Sequence, residues 1–282
     1  IEVDRQKGTV STFGGSVSLY IDGRKAEYRE IQNLRPKDIE KVEYYDAPSG
    51  KYASDIAAVN YITKQYQSGG YTSLDARQYI GYLNGDYNMA TKLTHGNTNY
   101  TLFAGYNIIE HDGSIKESTE SFYFPDYQVD RTYTTLDGKS RNSQMYGQLN
   151  ILNRNDKRTL SGKLTFIRKN APDNFTSNLM DYTRHHEMNL ISLNQTNQSG
   201  IMPTLELYGN FKLRNRQYIE TTLRGSYSRN HYERNYQENE YTNYMNSRED
   251  FYEGMIGINY GLPLKHQNQL TFQLRSFYQN TA

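Results

Sequence analysis

The sequence predicts a mainly β fold, an antiparallel transmembrane β-barrel that follows a small α/β unit at the N-terminus. Two observations carry this prediction. Apolar and polar residues alternate along most of the chain after residue 66, as they do in strands with two different faces. Short polar turns also alternate with long polar loops, which is the outline of a barrel that spans a membrane. The short turns are 94–98, 153–157, 213–217 and 262–268, and the long connections are about 111–140, 169–202 and 231–247.

The alternation is clearest in 217–230, where Leu223 and Tyr227 share one face and Glu220 and Arg224 share the other. On this pattern we predict about nine strands of roughly the length of a tilted membrane strand. They are 70–78, 84–94, 98–110, 141–152, 158–168, 203–213, 217–230, 248–262 and 268–279, and a further extended piece at 184–195 is expected to form a hairpin inside a long loop. Side chains expected to point outwards are Leu223, Tyr227, Ile256, Ile258, Leu270 and Leu274, and those expected to point inwards are Glu220, Arg224, Gln273 and Arg275.

The apolar face of these strands is thin, with Gly, Ala or Thr between single large residues, which suits contact with lipid. Tyrosines stand near the strand ends, as in the aromatic girdles of membrane barrels, although Tyr also favours strands in general. The chain has no run of eighteen apolar residues, so a transmembrane helix is not predicted. A net charge of +1 gives no general attraction to nucleic acid, and the absence of cysteine excludes disulfides and thiolate metal sites.

Residues 1–65 lack the barrel alternation and are predicted to form a separate α/β domain, with 66–282 as the barrel strands. Val17–Ile21 is a predicted strand that ends at Asp22-Gly23, a strong turn signal. Pro36 suits the first turn of a short helix. Further strands are predicted at Ile39–Tyr45 and Ala57–Thr63, joined by a loop at 46–52.

Four segments in this region, in this order, carry a resemblance to a known family. They are Leu19-Tyr-Ile-Asp-Gly23, Leu34-Arg-Pro-Lys-Asp-Ile39-Glu-Lys-Val-Glu43, Pro48-Ser-Gly-Lys-Tyr52 and Ala58-Val-Asn-Tyr-Ile-Thr-Lys64. The series resembles the C-terminal half of the plug domain of TonB-dependent outer-membrane receptors, and in particular the outer-membrane β-barrel group common in the Bacteroidetes. The barrel strands that follow stand where the family requires them.

The resemblance implies an importer in the outer membrane of a Gram-negative cell. In such a protein a nutrient ligand binds outside, and a TonB-type energy-coupling complex pulls on the plug so that the ligand passes. Outer-membrane lipid and a surface lipoprotein are further expected partners, and no cofactor is implied. The family barrel has about twenty-two strands, so we expect the native protein to begin before Ile1 and to continue past Ala282 by about thirteen strands.

The candidate ligand-binding residues lie in a Tyr-rich stretch, because Tyr offers stacking area and a hydrogen bond at low entropy cost. They are Arg229, His231, Tyr232, Arg234, Tyr236, Tyr241 and Tyr244. Girdle formation and loop solubility explain the same residues about equally well. The inward-facing charges are expected to contact the plug, because a closed lumen must pair buried charges. These charges are Glu220, Arg224, Glu253 and Arg275.

Other motifs favour simpler explanations. His185-His186-Glu187 cannot converge on one metal ion along an extended chain, so we interpret it as a solvated loop. Gly69-Gly70 is not followed by the helix of a phosphate-binding loop, and we expect it to let the chain turn from plug to wall. No catalytic constellation is present, so an enzyme is not predicted. The alternative to import is an outer-membrane binding, adhesion or scaffold barrel without transport.

Overall fold

A computed structural model represents the chain. It describes residues 2–4, 9–12, 15–26, 30–31, 34–46, 48, 52, 55–64, 68–81, 83–113, 115–183, 188–264 and 269–281. The fold is mainly β, and the described strands form one small sheet at the N-terminus and one large antiparallel sheet. No helix among the described residues is long and apolar enough to cross a membrane.

The small sheet belongs to what we call the N-terminal unit, the described residues up to Lys64. Its strands are β1 (Glu2–Asp4), β2 (Thr9–Thr12), β3 (Gly15–Ile21), β4 (Arg24–Lys25), β5 (Ile39–Tyr45) and β6 (Ala57–Thr63). The strand order is β1-β2-β3-β6-β5, with β4 paired to β3, and only the β3–β6 pair is parallel. Val17 and Leu19 pack on Ala57 and Val59 to form its core. The three strands predicted here are therefore confirmed.

The predicted helix in this unit is shorter than expected. Pro36–Asp38 forms a single 3-10 turn, which closes when the backbone N–H of Ile39 donates to the carbonyl of Pro36. Ile39 is already extended, because the chain enters β5 at that residue. Among the described residues the unit is a mixed β-sheet with helical backbone only at Glu30, Ile31, Tyr52 and this turn, so the α/β domain is not shown. Most of the predicted loop 46–52 lies outside the described residues.

Among the described residues the large sheet contains ten strands, where about nine were predicted. They are β7 (Ser68–Gln78), β8 (Asn84–His95), β9 (Thr98–Asp112), β10 (Glu117–Tyr123), β11 (Gln128–Arg154), β12 (Arg158–Thr183), β13 (Met188–Lys212), β14 (Tyr218–Glu238), β15 (Tyr241–Pro263) and β16 (Gln269–Thr281). Their order is β16-β15-β14-β13-β12-β11-β9-β8-β7, and β10 pairs with β11. The turn Arg214–Arg216, with positive φ at Asn215 and Arg216, joins β13 to β14. The described sheet is open, with β7 and β16 at its two ends, so a closed barrel stays a prediction.

The long loops predicted at 111–140, 169–202 and 231–247 are mostly strand. Strands β11, β12 and β13 contain 27, 26 and 25 residues, and their polar outer halves continue the same ladders. Residues 188–195 open strand β13 and do not form a hairpin inside a loop. The prediction was wrong because it required an apolar face, whereas a polar segment also satisfies its backbone groups by pairing with its neighbour. The short turns at 94–98, 153–157 and 213–217 were predicted correctly.

The two faces of the large sheet have an inverted polarity. We call the face that contacts the N-terminal unit the inner face and the opposite one the outer face. Leu149, Leu164 and Leu205 are direct neighbours on β11, β12 and β13, and they are 41%, 53% and 47% exposed on the outer face. The adjacent position on each of these strands belongs to the inner face. The three side chains there are polar, and only 1%, 4% and 9% exposed. This row is Gln148, Thr165 and Thr204.

The predicted facing agrees with this arrangement wherever exposure or a cavity contact shows which way a side chain points. Leu223, Ile256, Ile258, Leu270 and Leu274 are large apolar side chains that remain exposed. The inward prediction is supported by a cavity against the N-terminal unit, which is lined on the sheet side by Glu220, Arg224 and Arg275 among others. A water-soluble sheet would bury the first set and expose the second.

A close contact on the inner face gives a test of this packing. The ring of Tyr218 lies across Gly261 on the neighbouring strand, at the place where a Cβ atom would stand. We expect Gly261→Ala to displace that ring and to lower the free energy of unfolding of the full protein in detergent by about 1–3 kcal/mol. Gly257→Ala on the same face is the matched control, because its Cβ would meet no atom closer than 3.9 Å. Equal heat stability of the two variants would contradict the packing.

Candidate functional site

The N-terminal unit meets the large sheet through the hairpin that joins β3 to β4. Asp22 and Gly23 both adopt positive φ, at 50° and 81°, which is the backbone of a two-residue hairpin turn. The Asp22 carboxylate accepts hydrogen bonds from the backbone N–H and the hydroxyl of Thr63, at 2.9 and 2.6 Å. Arg154, at the end of β11, donates to the same carboxylate over 2.6 Å. The turn predicted from Asp22-Gly23 therefore presents a fixed anion to the sheet.

A buried chain of four charged groups forms a second contact. Arg24 pairs with Glu30 inside the N-terminal unit, and both side chains are almost fully buried. Lys163 of β12 lies 3.7 Å from Glu30 and 3.5 Å from Glu206 of β13. Each cation in this chain lies beside a carboxylate, so the desolvation of the charges is offset by pairing. The network crosses from the N-terminal unit into the inner face of the sheet.

A cavity of about 420 Å³ opens beside this network, between the hairpin and the inner face. Its floor on the sheet side contains Tyr208, Glu220, Arg224, Asn259 and Arg275. One oxygen of Glu220 and the amide oxygen of Asn259 are buried without a hydrogen-bond partner among the described residues. A buried polar atom without a partner costs free energy, and a bound water or polar ligand lowers that cost. Of the four charges expected to contact the plug, Glu253 does not line the cavity and instead accepts a hydrogen bond from Ser226.

The wall of the cavity that belongs to the N-terminal unit is fixed by Asp55. Its two oxygens accept hydrogen bonds from Ser18 over 2.8 Å and from Tyr20 over 2.6 Å, and Lys25 lies 3.9 Å away. Burial, together with the bond to Asp55, raises the pKa of Tyr20 above its usual range. Tyr20 therefore remains a hydrogen-bond donor throughout the physiological pH range.

The candidate ligand-binding residues do not come together at one surface. Residues of even number on β14 share the inner face with Glu220, so Tyr232, Arg234 and Tyr236 point inwards, and Tyr241 of β15 pairs with Glu238 on the same face. Residues Arg229, His231 and Tyr244 occupy the outer face. Alternation along a strand separates them, although they are close in sequence.

Each set is held by its own contacts. On the outer face Arg229 forms an ion pair of 2.8 Å with Asp250, and His231 lies 3.2 Å from Glu233. On the inner face Arg234 donates to Asn194 over 2.7 Å and lies 5.1 Å from the ring of Tyr236. Burial, with the hydrogen bond to Glu238, raises the pKa of Tyr236 to about 12. Only the inner set is turned towards the space above the N-terminal unit.

Residues that the sequence prediction missed lie on the same inner face, on neighbouring strands. Arg131 of β11 lies 4.6 Å from the ring of Tyr133 and 5.9 Å from that of Tyr182, and it pairs with Glu120 over 2.5 Å. These residues fall in segments interpreted as loops. The signal available in the sequence was the alternation of Arg131 with Tyr133, which is typical of one strand face. We call Arg131, Tyr133, Tyr182, Arg234 and Tyr236 the upper inner patch. His185-His186-Glu187 lies outside the described residues.

Comparison with known proteins gives little further information. No protein-family model matches the chain, and no curated protein matches it. Among solved structures, the chain is similar to the ferric yersiniabactin uptake receptor FyuA from Yersinia pestis. The superposition covers 97% of this chain and 66% of that one, just under two thirds of its length, at 12% identity and a TM-score of 0.28. A TM-score of this size is too low to establish a shared fold or a shared function.

The buried charge network makes a prediction about docking of the N-terminal unit. Glu30→Gln removes the buried carboxylate that Arg24 and Lys163 share and should destabilise the full protein by about 3–5 kcal/mol. Limited proteolysis on heating should then cut the N-terminal unit at a lower temperature than in the wild type. Glu40→Gln removes the same charge at an exposed position of β5 and should change stability by less than about 0.5 kcal/mol. If both variants resist protease equally, the network does not hold the unit in place.

Proposed function

We propose that the chain is part of an outer-membrane receptor that imports a nutrient ligand with energy from a TonB-type complex. The observation that carries the proposal is the inverted polarity of the large sheet. Exposed leucines on one face and buried polar residues on the other suit a wall between hydrocarbon and a polar interior. The strands form a continuous antiparallel ladder, which satisfies the backbone groups that hydrocarbon cannot.

The N-terminal unit supports the transport part of the proposal. It lies on the inner face through ion pairs, where a plug would close a wide lumen, and its four sequence segments resemble the plug of TonB-dependent receptors. Ion pairs with polar surroundings can be exchanged for water when the unit is pulled, whereas a large apolar contact would resist exposure to water. The upper inner patch is the proposed ligand surface, and it faces the space that such a ligand would enter.

A binding or adhesion protein is the second candidate. The observation in its favour is the length of β11, β12 and β13, because about ten residues of a tilted strand cross the hydrocarbon and the rest must project beyond it. The projecting outer surface carries charged pairs such as Arg229 with Asp250, which could serve a partner protein.

An uptake experiment in the native cell separates the two candidates. Cells that lack the gene and cells complemented with the full-length gene are grown on a panel of single limiting nutrients. We expect one nutrient to support growth only with the gene, and its labelled form to enter only while the TonB complex and the proton gradient are intact. Surface binding should persist when either is removed. Binding of the label without energy-dependent entry would contradict import and favour the adhesion function.

The membrane location has its own test. Ile256 is 52% exposed on the outer face, within the apolar band, so Ile256→Arg should cost about 2–4 kcal/mol near the midplane of a bilayer and hinder assembly into the outer membrane. Asn259→Arg is the control on the same strand, because it points inwards and stands directly opposite Glu220. The measurement is the amount of folded, heat-modifiable protein in isolated outer membranes. Equal amounts of the two variants would contradict a lipid-facing position.

A further inference from the structure

The cavity of about 420 Å³ between the hairpin and the inner face differs in character from one end to the other. Glu220 and Asn259 line the end nearer the turn Arg214–Arg216, and Ile167 and Met202 line the end farther from it. The volume lies in the range of pockets that hold small ligands, and it is much larger than one or two waters need. The cavity therefore has room for a ligand with a polar end and an apolar end.

The polar end presents two hydrogen-bond acceptors that lack a donor. Glu220 is 7% exposed and stands directly opposite Asn259 on the neighbouring strand. One carboxylate oxygen of Glu220 and the amide oxygen of Asn259 are buried without a partner among the described residues. An ammonium group offers three donors and a positive charge, so it suits a carboxylate beside an amide oxygen better than a neutral donor does. This end of the cavity therefore favours the ammonium group of a ligand.

A cationic side chain lies further along the same strand. Arg224 shares the inner face with Glu220 and stands four residues beyond it, about 13 Å away between the two Cα atoms. Its guanidinium forms no ion pair within the part of the chain that the structure describes. Glu206, directly opposite on β13, lies 3.5 Å from Lys163 instead. Because a planar guanidinium binds a carboxylate through two parallel hydrogen bonds, Arg224 suits an anionic group of the same ligand.

Apolar side chains stand beside and beyond Arg224. Met255 is its direct neighbour on β15, and Ile167 and Met202 are direct neighbours of each other on β12 and β13. Methionine adapts its shape to apolar groups of different size. Tyr20 of the N-terminal unit lines the opposite side, so a ligand in the cavity would contact both parts of the chain.

We propose that this cavity binds a short peptide of two or three apolar residues, with its ammonium group at Glu220 and Asn259 and its carboxylate at Arg224. The inference rests on the proposed import function, and it names the class of nutrient. An extended peptide of this length spans about 7–10 Å. That length suits two anchors whose Cα atoms are about 13 Å apart and whose side chains take up part of the distance, whereas a free amino acid is too short. A neutral sugar has no charge for either anchor.

The first test changes the ligand and keeps the wild-type protein. Purified full-length protein in detergent is titrated with dileucine and trileucine in a calorimeter, and at least one of them should bind saturably. Acetylation of the amino group, or conversion of the carboxylate to an amide, should weaken binding of that peptide by about tenfold or more, because a hydrogen bond between charged groups is lost. Absence of saturable binding for both peptides, or equal affinity for the acetylated form, would overturn the proposal.

The second test changes the protein at the ammonium position. Glu220→Gln keeps the size of the side chain and should weaken binding of the free peptide by about tenfold or more. The same variant should bind the acetylated peptide within about twofold of the wild type, since that contact is already absent. Glu253→Gln is the matched control, because Glu253 does not line the cavity and accepts a hydrogen bond from Ser226. Equal loss of peptide affinity in the two variants would overturn the site.

A further variant separates binding from folding. Asn259→Leu keeps the branched shape of the side chain and removes the unsatisfied acceptor, so its melting temperature without peptide should not fall. Its affinity for the peptide should nevertheless fall by about fivefold or more. Wild-type affinity in this variant would overturn the ammonium position.

The result is distinguishable from a failure of the import function, because binding in detergent needs neither the TonB complex nor a proton gradient. Energy-dependent uptake of a nutrient other than a peptide, together with no peptide binding, would overturn this inference and leave import intact. Saturable peptide binding without energy-dependent entry of the same peptide would support the site and contradict import.

Discussion

Backbone pairing between neighbouring long strands is the constraint on which the other features of this molecule depend. The ladder of β11, β12 and β13 keeps each residue opposite a fixed partner over more than twenty positions. Only in this register do three leucines form one row and Gln148, Thr165 and Thr204 form the row behind it. A slip by one residue would exchange the two faces, so the polarity of both faces selects the register. The ladder therefore decides what the outer surface meets and what the N-terminal unit meets.

The polar inner face requires a polar partner, and the N-terminal unit supplies it. Lys163 is buried in the sheet and has carboxylates of both parts within 4 Å, Glu206 from the sheet and Glu30 from the unit. Arg154 similarly depends on Asp22. A unit with an apolar surface would leave these charges desolvated without compensation. The contact is therefore specific, because these charges are paired across it.

Bulges explain why the candidate ligand surface was found only in part from the sequence. The ladder between β11 and β12 shifts register near Lys139 and Ser143, and the ladder between β12 and β13 shifts near Ala171 and Asn174. Before these shifts the odd-numbered residues of β12, such as Lys163, face inwards. Beyond them the even-numbered residues face inwards, and Tyr182 therefore lies on the inner face. Alternation counted along the sequence cannot carry across a bulge, because the extra residue exchanges the two faces. Arg234 and Tyr236 were found because β14 has no such shift.

The sequence by itself determined the strands that have an apolar face, their facing, the short turns and the hairpin at Asp22-Gly23. Each of these follows from a local rule, either alternation or the backbone preference of a turn residue. Only the tertiary structure decided that polar segments such as 169–183 continue as strand, because their stability comes from pairing with a neighbour distant in sequence. It also decided that Glu30 meets Lys163 and that Tyr20 and Glu220 share a cavity, since burial and charge balance depend on which parts of the chain are brought together.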